Sequence, residues 1–491
     1  MFGSGAARHA GTVTTLDRVR LVPVAPPVTV GAVGPVLLAA AAALVRLPFL
    51  LSPLTSDEGG FLVVAGQWSP GPSLYGAYFV DRPPLLLAAF AGADALGGAL
   101  ALRLLGLVAV VVAVLLAGRI GGTPAAAVAA VFLSSPLLGV MEVDGELLAA
   151  PLVLGSFLLV LRSVRADGPE ERYAVPLAAG ALAVSAALVK QDLVDGFVVA
   201  AVLLVALART DPRGARTRAL SFLGGALGAL GVVLLGAASR GTGPLALWDA
   251  VVTFRVQAAG VISTSASSAT SDRLHELVLA AVLAGLPLVA VGAVLGRGRP
   301  VADRPVLVAA VVVLAWEVAG ALLGGSYWHH YLIALVPGLV LLVAACDGGG
   351  RLTRVTTCLA AMMTAFALVW SLSHPPALAE DQQVAAYVRS HARPTDTVVV
   401  AFGHGDVVRE TGLMSPYPYL WSLPVRVRDP RLTRLDGVLA GPEAPRWLLV
   451  AGDSLSSWGL DADRAQSVVE HDYREVWSTG DWRVLERSRA A

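Results

Sequence analysis

The chain has 491 residues, of which 56% are hydrophobic and 15% are charged. Soluble domains usually carry about 25% charged residues, so water cannot be the solvent for most of this chain. The 36 basic and 36 acidic residues cancel, which excludes a bulk field that would attract nucleic acid. Two cysteines are too few for a disulfide framework or a cysteine-rich metal site.

Apolar runs predict a polytopic α-helical membrane protein. A tail at 1–30 precedes a run at 31–51, which is long enough to cross a hydrocarbon layer of about 30 Å. That run is longer than a signal-peptide core and lacks a small-residue cleavage site, so we interpret it as an uncleaved span. Further runs bring the expected number of spans to about eleven. They lie at 100–118, 124–140, 147–163, 174–190, 195–208, 220–238, 274–295, 306–324, 329–346 and 355–373.

Arginine placement predicts the orientation of these spans. Cytoplasmic loops collect arginine, and every second loop of the chain does so. With a cytoplasmic N-terminus these clusters all lie inside: Arg119; Arg162, Arg165 and Arg172; Arg209, Arg213, Arg216 and Arg218; Arg297, Arg299 and Arg304; Arg351 and Arg354. The apolar piece Pro84–Leu96 would invert the pattern if it crossed, so we expect it to lie on or dip into the outer face. The predicted location is the plasma membrane.

The polar segment at 374–491 predicts a separate, extracytoplasmic α/β domain. It contains a helical stretch, two strand candidates and a hairpin, at 381–392, 397–402, 447–450 and 473–485. Gly403 and Gly405 lack the third glycine of a dinucleotide site, so we interpret them as a plain turn. Four nearby polar residues could face the membrane cleft, but we interpret them as solvated surface: His404, Asp406, Arg409 and Glu410.

Ionisable residues gather at the predicted outer membrane boundary. Charged side chains near lipid are energetically unfavourable, so their presence there indicates a functional site. Asp57 and Glu58 follow the first span. One acid could accept a proton from a hydroxyl while its neighbour orients substrate or a cation; a hydrated loop or a helix N-cap is the structural alternative. Arg82, next to Asp81, could bind a phosphate through the paired N–H donors of its guanidinium. The structural alternative is that it anchors the chain at the membrane interface.

Two further clusters lie at this boundary. The first is acidic, and the second contains the single lysine of the chain. Three acids in a short outer turn could bind a sugar or a divalent cation, or simply solvate the turn: Glu142, Asp144 and Glu146. Lys190 is followed by Gln191 and Asp192. Because every other basic residue is arginine, the functional interpretation is that this position requires a compact ammonium; a chance lysine paired with Asp192 is the alternative.

An aromatic cluster precedes the tenth span. Tyr327 and Tyr331 suit the aromatic belt of a membrane interface, which is the default interpretation for such residues. The neighbouring His329 and His330 do not share a helix face, so we do not expect them to bind one metal ion together. Contact of one histidine with a phosphate or sugar is the functional interpretation.

The order of these features resembles that of the GT-C membrane glycosyltransferases, in particular the family-39 type related to protein O-mannosyltransferases and the bacterial lipid A aminoarabinose transferase. The resemblance covers most of 31–373. Its core is the Asp57-Glu58 pair in a first outer loop, 52–99, then a basic residue before Pro83-Pro84-Leu85, then Arg103-Leu104-Leu105. It implies that Asp57, beside Glu58, is the catalytic base and that Arg82 binds donor phosphate.

The resemblance also implies a reaction. A sugar would pass, with inversion, from a polyprenyl-phosphate donor in the membrane lipid to a cell-envelope hydroxyl on a glycan, lipid or protein. Lys190, His329 and His330 would help to neutralise the phosphate, and the remaining candidates would bind substrate or a cation: Asp81, Asp144, Glu146, Gln191, Tyr327 and Tyr331.

Metal dependence stays open, because the acids could coordinate a divalent cation or the basic residues could suffice. A multispan transporter or flippase of a lipid-linked or envelope substrate is the alternative function. Such a protein typically shows internal repeats and charges near mid-membrane.

Overall fold

The structure is a computed structural model that describes residues 33–71, 74–264, 268–296, 303–346, 350–374, 379–456 and 460–488. The predicted cytoplasmic tail at 1–30, together with Arg297 and Arg299, lies outside these residues. The described chain is mostly helical with a small C-terminal sheet, as the fold prediction requires.

The first sixteen helices form the apolar part of the molecule. Their bounds are α1 Val33–Arg46, α2 Ser56–Gly66, α3 Pro84–Ala95, α4 Ala99–Phe132, α5 Gly145–Arg165, α6 Pro169–Arg172, α7 Ala174–Val189, α8 Asp195–Ala208, α9 Pro212–Ser239, α10 Pro244–Trp248, α11 Phe254–Thr264, α12 Ser268–Ala284, α13 Leu286–Leu295, α14 Arg304–Leu323, α15 Leu335–Ala345 and α16 Arg351–Ser373.

Seven helical segments among the described residues are long and apolar enough to cross a membrane, or eight if α12 and α13, bent by 47°, count as one span. Shorter apolar helices include α3 and α8. The expected count of eleven is therefore not confirmed.

Helix α4 is a hairpin of two helical arms. Gly121 and Gly122 have non-helical backbone angles, with φ of −138° and +67°. A Cβ atom on Gly118 would lie 3.6 Å from the Cβ of Ala126, whereas eight residues of a continuous helix rise about 12 Å. The chain therefore reverses at the glycine pair. The predicted runs at 100–118 and 124–140 correspond to the two arms, although the second arm ends at Phe132.

The segment Pro244–Thr264, formed by α10, a π-helical turn and α11, was not predicted. It is long and apolar enough to cross a membrane. However, both of its ends lie on the same side of the helix bundle: Thr242 accepts a hydrogen bond from Trp68 at 3.1 Å, and Ile262 lies beside Gly325. We call this side the domain face, because the C-terminal domain packs against it.

The C-terminal domain is a four-stranded sheet with helices around it. Its strands are β1 Val398–Ala401, β2 Trp447–Ala451, β3 Tyr473–Thr479 and β4 Trp482–Arg487, in the order β1-β2-β4-β3. β1 and β2 are parallel, and β3 and β4 form the predicted hairpin. The helices are α17 Ala379–His391, α18 Gly405–Thr411, α19 Ser422–Arg428, α20 Thr433–Leu439 and α21 Asp463–Asp472.

Glycines allow this domain to touch the domain face through backbone. A Cβ atom on Gly59 of α2 would collide with the Cα of Asp406, and one on Gly405 of α18 would lie 2.5 Å from the Cα of Gly60. The turn at Gly403 has a φ of +97°, which glycine adopts without strain. The Gly403–Gly405 turn therefore serves close packing of α18 on α2, consistent with the absence of a dinucleotide motif.

Candidate active site

A cavity of about 1160 Å³ lies between the domain face and the C-terminal domain. Its wall is formed by the start of α2, the loop before α3, the segment before α15, and the loops that precede α18 and α19. Seven predicted site residues line it: Asp57, Asp81, Arg82, Tyr327, His329, His330 and Tyr331.

Asp57 lies in the first turn of α2, where the helix dipole favours negative charge. Thr55 and Glu58 form a capping box that fixes the start of this helix. The indole of Trp421, from the C-terminal domain, donates a hydrogen bond of 2.7 Å to Asp57 Oδ1. The orientation of the carboxylate is thus determined by both parts of the chain.

Glu58 has a different environment from its neighbour. It is 1% exposed and does not line the cavity. Its carboxylate forms an ion pair of 2.7 Å with Arg103 and accepts a hydrogen bond of 2.8 Å from the backbone N–H of Val143. Burial raises the pKa of Glu58, while Arg103 opposes that shift. These contacts hold Glu58 outside the cavity, although Asp57 and Glu58 were both predicted to be catalytic.

Arg82 and a second arginine flank Asp81. Arg82 Nη1 lies 2.8 Å from Asp81 Oδ1, and Arg255 Nε of α11 lies 3.1 Å from Asp81 Oδ2. Burial acts to raise the pKa of Asp81, but Arg255 and Arg82 hold it below its usual value. The hydroxyl of Tyr75 donates a 2.7 Å hydrogen bond to the carbonyl of Arg82, which fixes the backbone there. Two guanidinium groups are therefore held side by side at the cavity wall.

Lys190 lies behind the wall and not on it. Its ammonium forms an ion pair with Glu146 and lies 4.3 Å from the ring centroid of Tyr331. His330 Nε2 lies 3.8 Å from Glu146, and the amide of Gln191 donates to the carbonyl of Asp81 at 3.3 Å. This network supports the wall residues Asp81, His330 and Tyr331 from behind.

The predicted cation ligands Asp144 and Glu146 lie outside the cavity wall and have other contacts. Asp144 caps α5 by accepting a hydrogen bond of 2.8 Å from the N–H of Leu147. Glu146 is paired with Lys190. Of the three acids in that turn, only Glu142 lines the cavity, and burial followed by the charges of Glu58 and Asp57 raises the pKa of Glu142 to about 7.

Sequence reasoning missed several wall residues: Arg255, Arg273, Trp421 and Arg426. Arg255 lies on the helix that was not predicted. Trp421 and Arg426 lie in the C-terminal domain, which was expected to cover the cleft without any indication of which of its residues would do so. Arg273 packs on Trp328, with 5.1 Å between its guanidinium carbon and the ring centroid. An arginine interrupting an apolar segment, as Arg255 does, was the available signal.

The interpretation of the α18 region as solvated surface was wrong. His404 lines the cavity, Asp406 is 4% exposed, and Arg409 forms an ion pair with Asp94 of α3. These residues face the bundle because the glycine contact brings α18 directly onto α2.

No protein-family model and no curated protein matches the sequence. The structure of ArnT from Cupriavidus metallidurans bound to undecaprenyl phosphate matches with a TM-score of 0.59 and 15% identity, over 92% of this chain and 97% of that chain. The same protein in the apo state gives a TM-score of 0.45 at 15% identity over 92% and 97%. An oligosaccharyltransferase from Archaeoglobus fulgidus gives 0.44 at 13% identity over 84% of this chain and 68% of that chain.

The first of these matches extends over nearly the whole of both chains, including the C-terminal domain. The expectation from the resemblance is thereby confirmed for the architecture: the chain has the GT-C fold of ArnT.

Proposed function

We propose that the protein is an inverting membrane glycosyltransferase that takes a sugar from a polyprenyl-phosphate donor. The observation that carries this proposal is the convergence of Asp57 and Arg82 on one cavity. A carboxylate fixed by Trp421 and a guanidinium fixed by Asp81 supply the base and the phosphate ligand that such a transfer needs.

The donor end of the site is assigned to Arg82 and Arg255. Their guanidinium groups flank Asp81, which neutralises only part of their charge. His330 and Tyr331 complete this part of the wall, supported by Lys190. The bound undecaprenyl phosphate in the ArnT structure supports a prenyl-phosphate ligand for this fold.

The proposed reaction is a direct displacement at the anomeric carbon of the donor. An acceptor hydroxyl oxygen forms the new bond to that carbon while the bond from the carbon to the phosphate oxygen breaks. Asp57 takes the hydroxyl proton, and the polyprenyl phosphate leaves with the bonding electron pair. Arg82 and Arg255 stabilise the charge that develops on the leaving phosphate.

The acceptor is assigned to the side of the cavity formed by the C-terminal domain. That side contributes Trp421, Arg426 and His404 to the wall. We place the cavity on the outer face of the plasma membrane, since the arginine-rich loops lie at the opposite ends of the helices. The acceptor is then a hydroxyl of the cell envelope. No cation is assigned to Glu146, because Lys190 engages it, and none is assigned to Asp144, because this helix cap lies outside the cavity wall.

The test is transfer of radiolabelled sugar by the full chain in lipid nanodiscs. Polyprenyl-phosphate sugars are offered with cell-envelope extracts as acceptors, and wild type is compared with Asp57→Asn. Loss of a general base typically costs about 10²- to 10⁴-fold in rate, which is the expected loss. Asp463→Asn, at an exposed position of α21, should transfer at the wild-type rate. Absent transfer in all proteins across a broad donor panel would favour the transporter, and equal transfer by Asp57→Asn and wild type would contradict the assignment of the base.

A further inference from the structure

Three potential metal ligands meet beside the cavity in the C-terminal domain. Asp381 lies in the first turn of α17, and His404 and Asp406 lie at the start of α18. One ligand atom from each lies within 4.8 Å of the others. Among the described residues this is the one group of at least three such side chains at that spacing.

One carboxylate oxygen of Asp406 lacks a hydrogen-bond partner. The residue is 4% exposed, and its Oδ1 atom accepts no hydrogen bond from the described part of the chain. Arg409, on the same helix, is paired with Asp94 instead. Burial of a carboxylate oxygen is unfavourable unless a donor, a proton or a cation satisfies it. The orphaned oxygen belongs to the same cluster as the other two ligands.

The other two ligands are held in orientation by Trp482 of β4. Its indole N–H donates a hydrogen bond of 2.7 Å to Asp381 Oδ1, which leaves Oδ2 at 3.6 Å from His404 Nδ1. The same indole packs edge-on against the His404 ring, with centroids 4.7 Å apart. In metal sites generally, residues that do not touch the metal orient its ligands by such hydrogen bonds.

We propose that Asp381, His404 and Asp406 bind one divalent metal ion, with Zn²⁺ as the best-fitting ion. One imidazole and two carboxylates form a mixed nitrogen and oxygen ligand set, which suits Zn²⁺ better than Mg²⁺ or Ca²⁺. His404 lines the cavity, so water from the cavity can complete a tetrahedral site. This site differs from the acidic turn at 142–146 and does not depend on the proposed transfer reaction.

The ion would join α17 to the start of α18 at the place where the domain touches α2. The backbone of Asp406 packs on Gly59, and the hydroxyl of Ser56 donates a hydrogen bond to the carbonyl of Gly403. Asp57 lies between these two contacts. The metal therefore stabilises the wall that positions Asp57 and Trp421, without contact with the donor.

The test is Zn²⁺ binding to the full, tag-free chain in nanodiscs after removal of metal with a chelator. Competition with a chromophoric chelator gives affinity and stoichiometry, and thermal unfolding gives the stabilisation by Zn²⁺. Wild type is expected to bind one Zn²⁺ and to unfold at a higher temperature with it. His404→Ala and Asp406→Asn should weaken Zn²⁺ binding at least about tenfold. Loss of a residue that only supports a ligand already lowers metal affinity by about that factor, and loss of the ligand itself should lower it no less.

The matched control is His471→Ala, because His471 is an exposed histidine next to Asp472 in the same domain. It should bind Zn²⁺ as wild type does. Metal-free Asp406→Asn should unfold no earlier than metal-free wild type, because it replaces a buried carboxylate that has an unsatisfied oxygen by a neutral amide. This comparison separates loss of the site from misfolding. Should either variant fail to fold, Asp381→Asn replaces it. Absence of binding to wild type, or unchanged binding in the ligand variants, would overturn the proposal.

Discussion

Asp57 and Glu58 are adjacent acids of the same helix turn, yet the structure gives them opposite surroundings. Asp57 lines the cavity, while Glu58 points into the bundle against Arg103. Neighbouring helix positions do not share a face, so only one acid of the pair can reach a substrate in the cavity. A motif of two acids thus contains one candidate base and one residue that holds the start of α2 in place.

Because Glu58 forms an ion pair with Arg103, its substitution is expected to lower the stability of the protein more than its catalytic rate. Glu58→Gln leaves the buried Arg103 without its counter-charge, which should destabilise the protein by about 3–5 kcal/mol. The double variant Glu58→Gln with Arg103→Met should lose less than the sum of the single variants. Thermal unfolding in detergent measures the stability of the single and double variants. The transfer activity of Glu58→Gln per folded molecule should exceed that of Asp57→Asn. An additive double variant would contradict the pairing.

Glu142 predicts a pH dependence of donor binding. Its pKa of about 7 makes it neutral below pH 7 and negatively charged above. A donor phosphodiester carries one negative charge throughout this range, so the donor KM should rise about three- to tenfold as pH increases through 7. In Glu142→Gln the KM should stay flat. Glu276 is another acid of the cavity wall, and Glu276→Gln should keep the wild-type rise of the donor KM with pH. If Glu276→Gln loses this rise and Glu142→Gln keeps it, Glu142 is not the group responsible.

At the scale of elements, the contact of α2 with α18 decides whether the two parts of the chain form one site. Gly59 and Gly60 let α18 approach closely enough for Trp421 to reach Asp57. The sequence showed Ser56-Asp57-Glu58-Gly59-Gly60, but only the acids were given a role. Glycines that serve a close contact have no local signal when the partner lies more than 300 residues away, as Gly405 does.

Gly59→Ala is expected to separate α2 from α18. The new methyl group would collide with the backbone of Asp406, and overpacking of this kind typically costs about 1–3 kcal/mol. Both the unfolding temperature and the transfer rate should fall. Gly92→Ala on α3 is the matched control, because a Cβ atom added there would meet nothing within 4 Å and alanine favours a helix. Equal behaviour of the two variants would show that the contact is dispensable.

Helices with a strong apolar signal could be predicted, and ambiguous ones could not. The two runs around Gly121 and Gly122 predicted separate spans, and the hairpin of α4 agrees with them. Pro244–Thr264 was missed because Asp249 and Arg255 break its apolar pattern. The same arginine then proved to face Asp81, so the missed helix also concealed part of the candidate site.

At the scale of the whole molecule, the sequence predicted the class of fold and the boundary at which polar residues gather. The candidates Asp57, Arg82 and His330 come from distant segments, and their common cavity follows from the packing of the bundle. Their distances could not be predicted, because periodicity places a residue on a helix face but not opposite a partner. The contribution of the C-terminal domain, through Trp421 and Arg426, required the structure for the same reason.

The predicted orientation can be measured with single cysteines. In a background of Cys346→Ala and Cys358→Ala, Ala440→Cys lies on the exposed surface of the C-terminal domain and Ala166→Cys follows α5 in an arginine-rich loop. A membrane-impermeant maleimide should label Ala440→Cys on intact cells and Ala166→Cys only after permeabilisation, because arginine-rich loops stay in the cytoplasm. The reverse pattern would contradict the orientation.

The central claim is that Asp57 acts on a donor whose phosphate Arg82 holds in the same cavity. Donor affinity and single-turnover transfer, measured together in nanodiscs, test it most directly. Asp57→Asn should bind the donor within about threefold of wild type yet lose transfer by about 10²-fold or more. Arg82→Gln should weaken donor binding about tenfold or more, as expected for a charged contact to phosphate. Wild-type transfer by Asp57→Asn, or wild-type donor affinity in Arg82→Gln, would contradict the account.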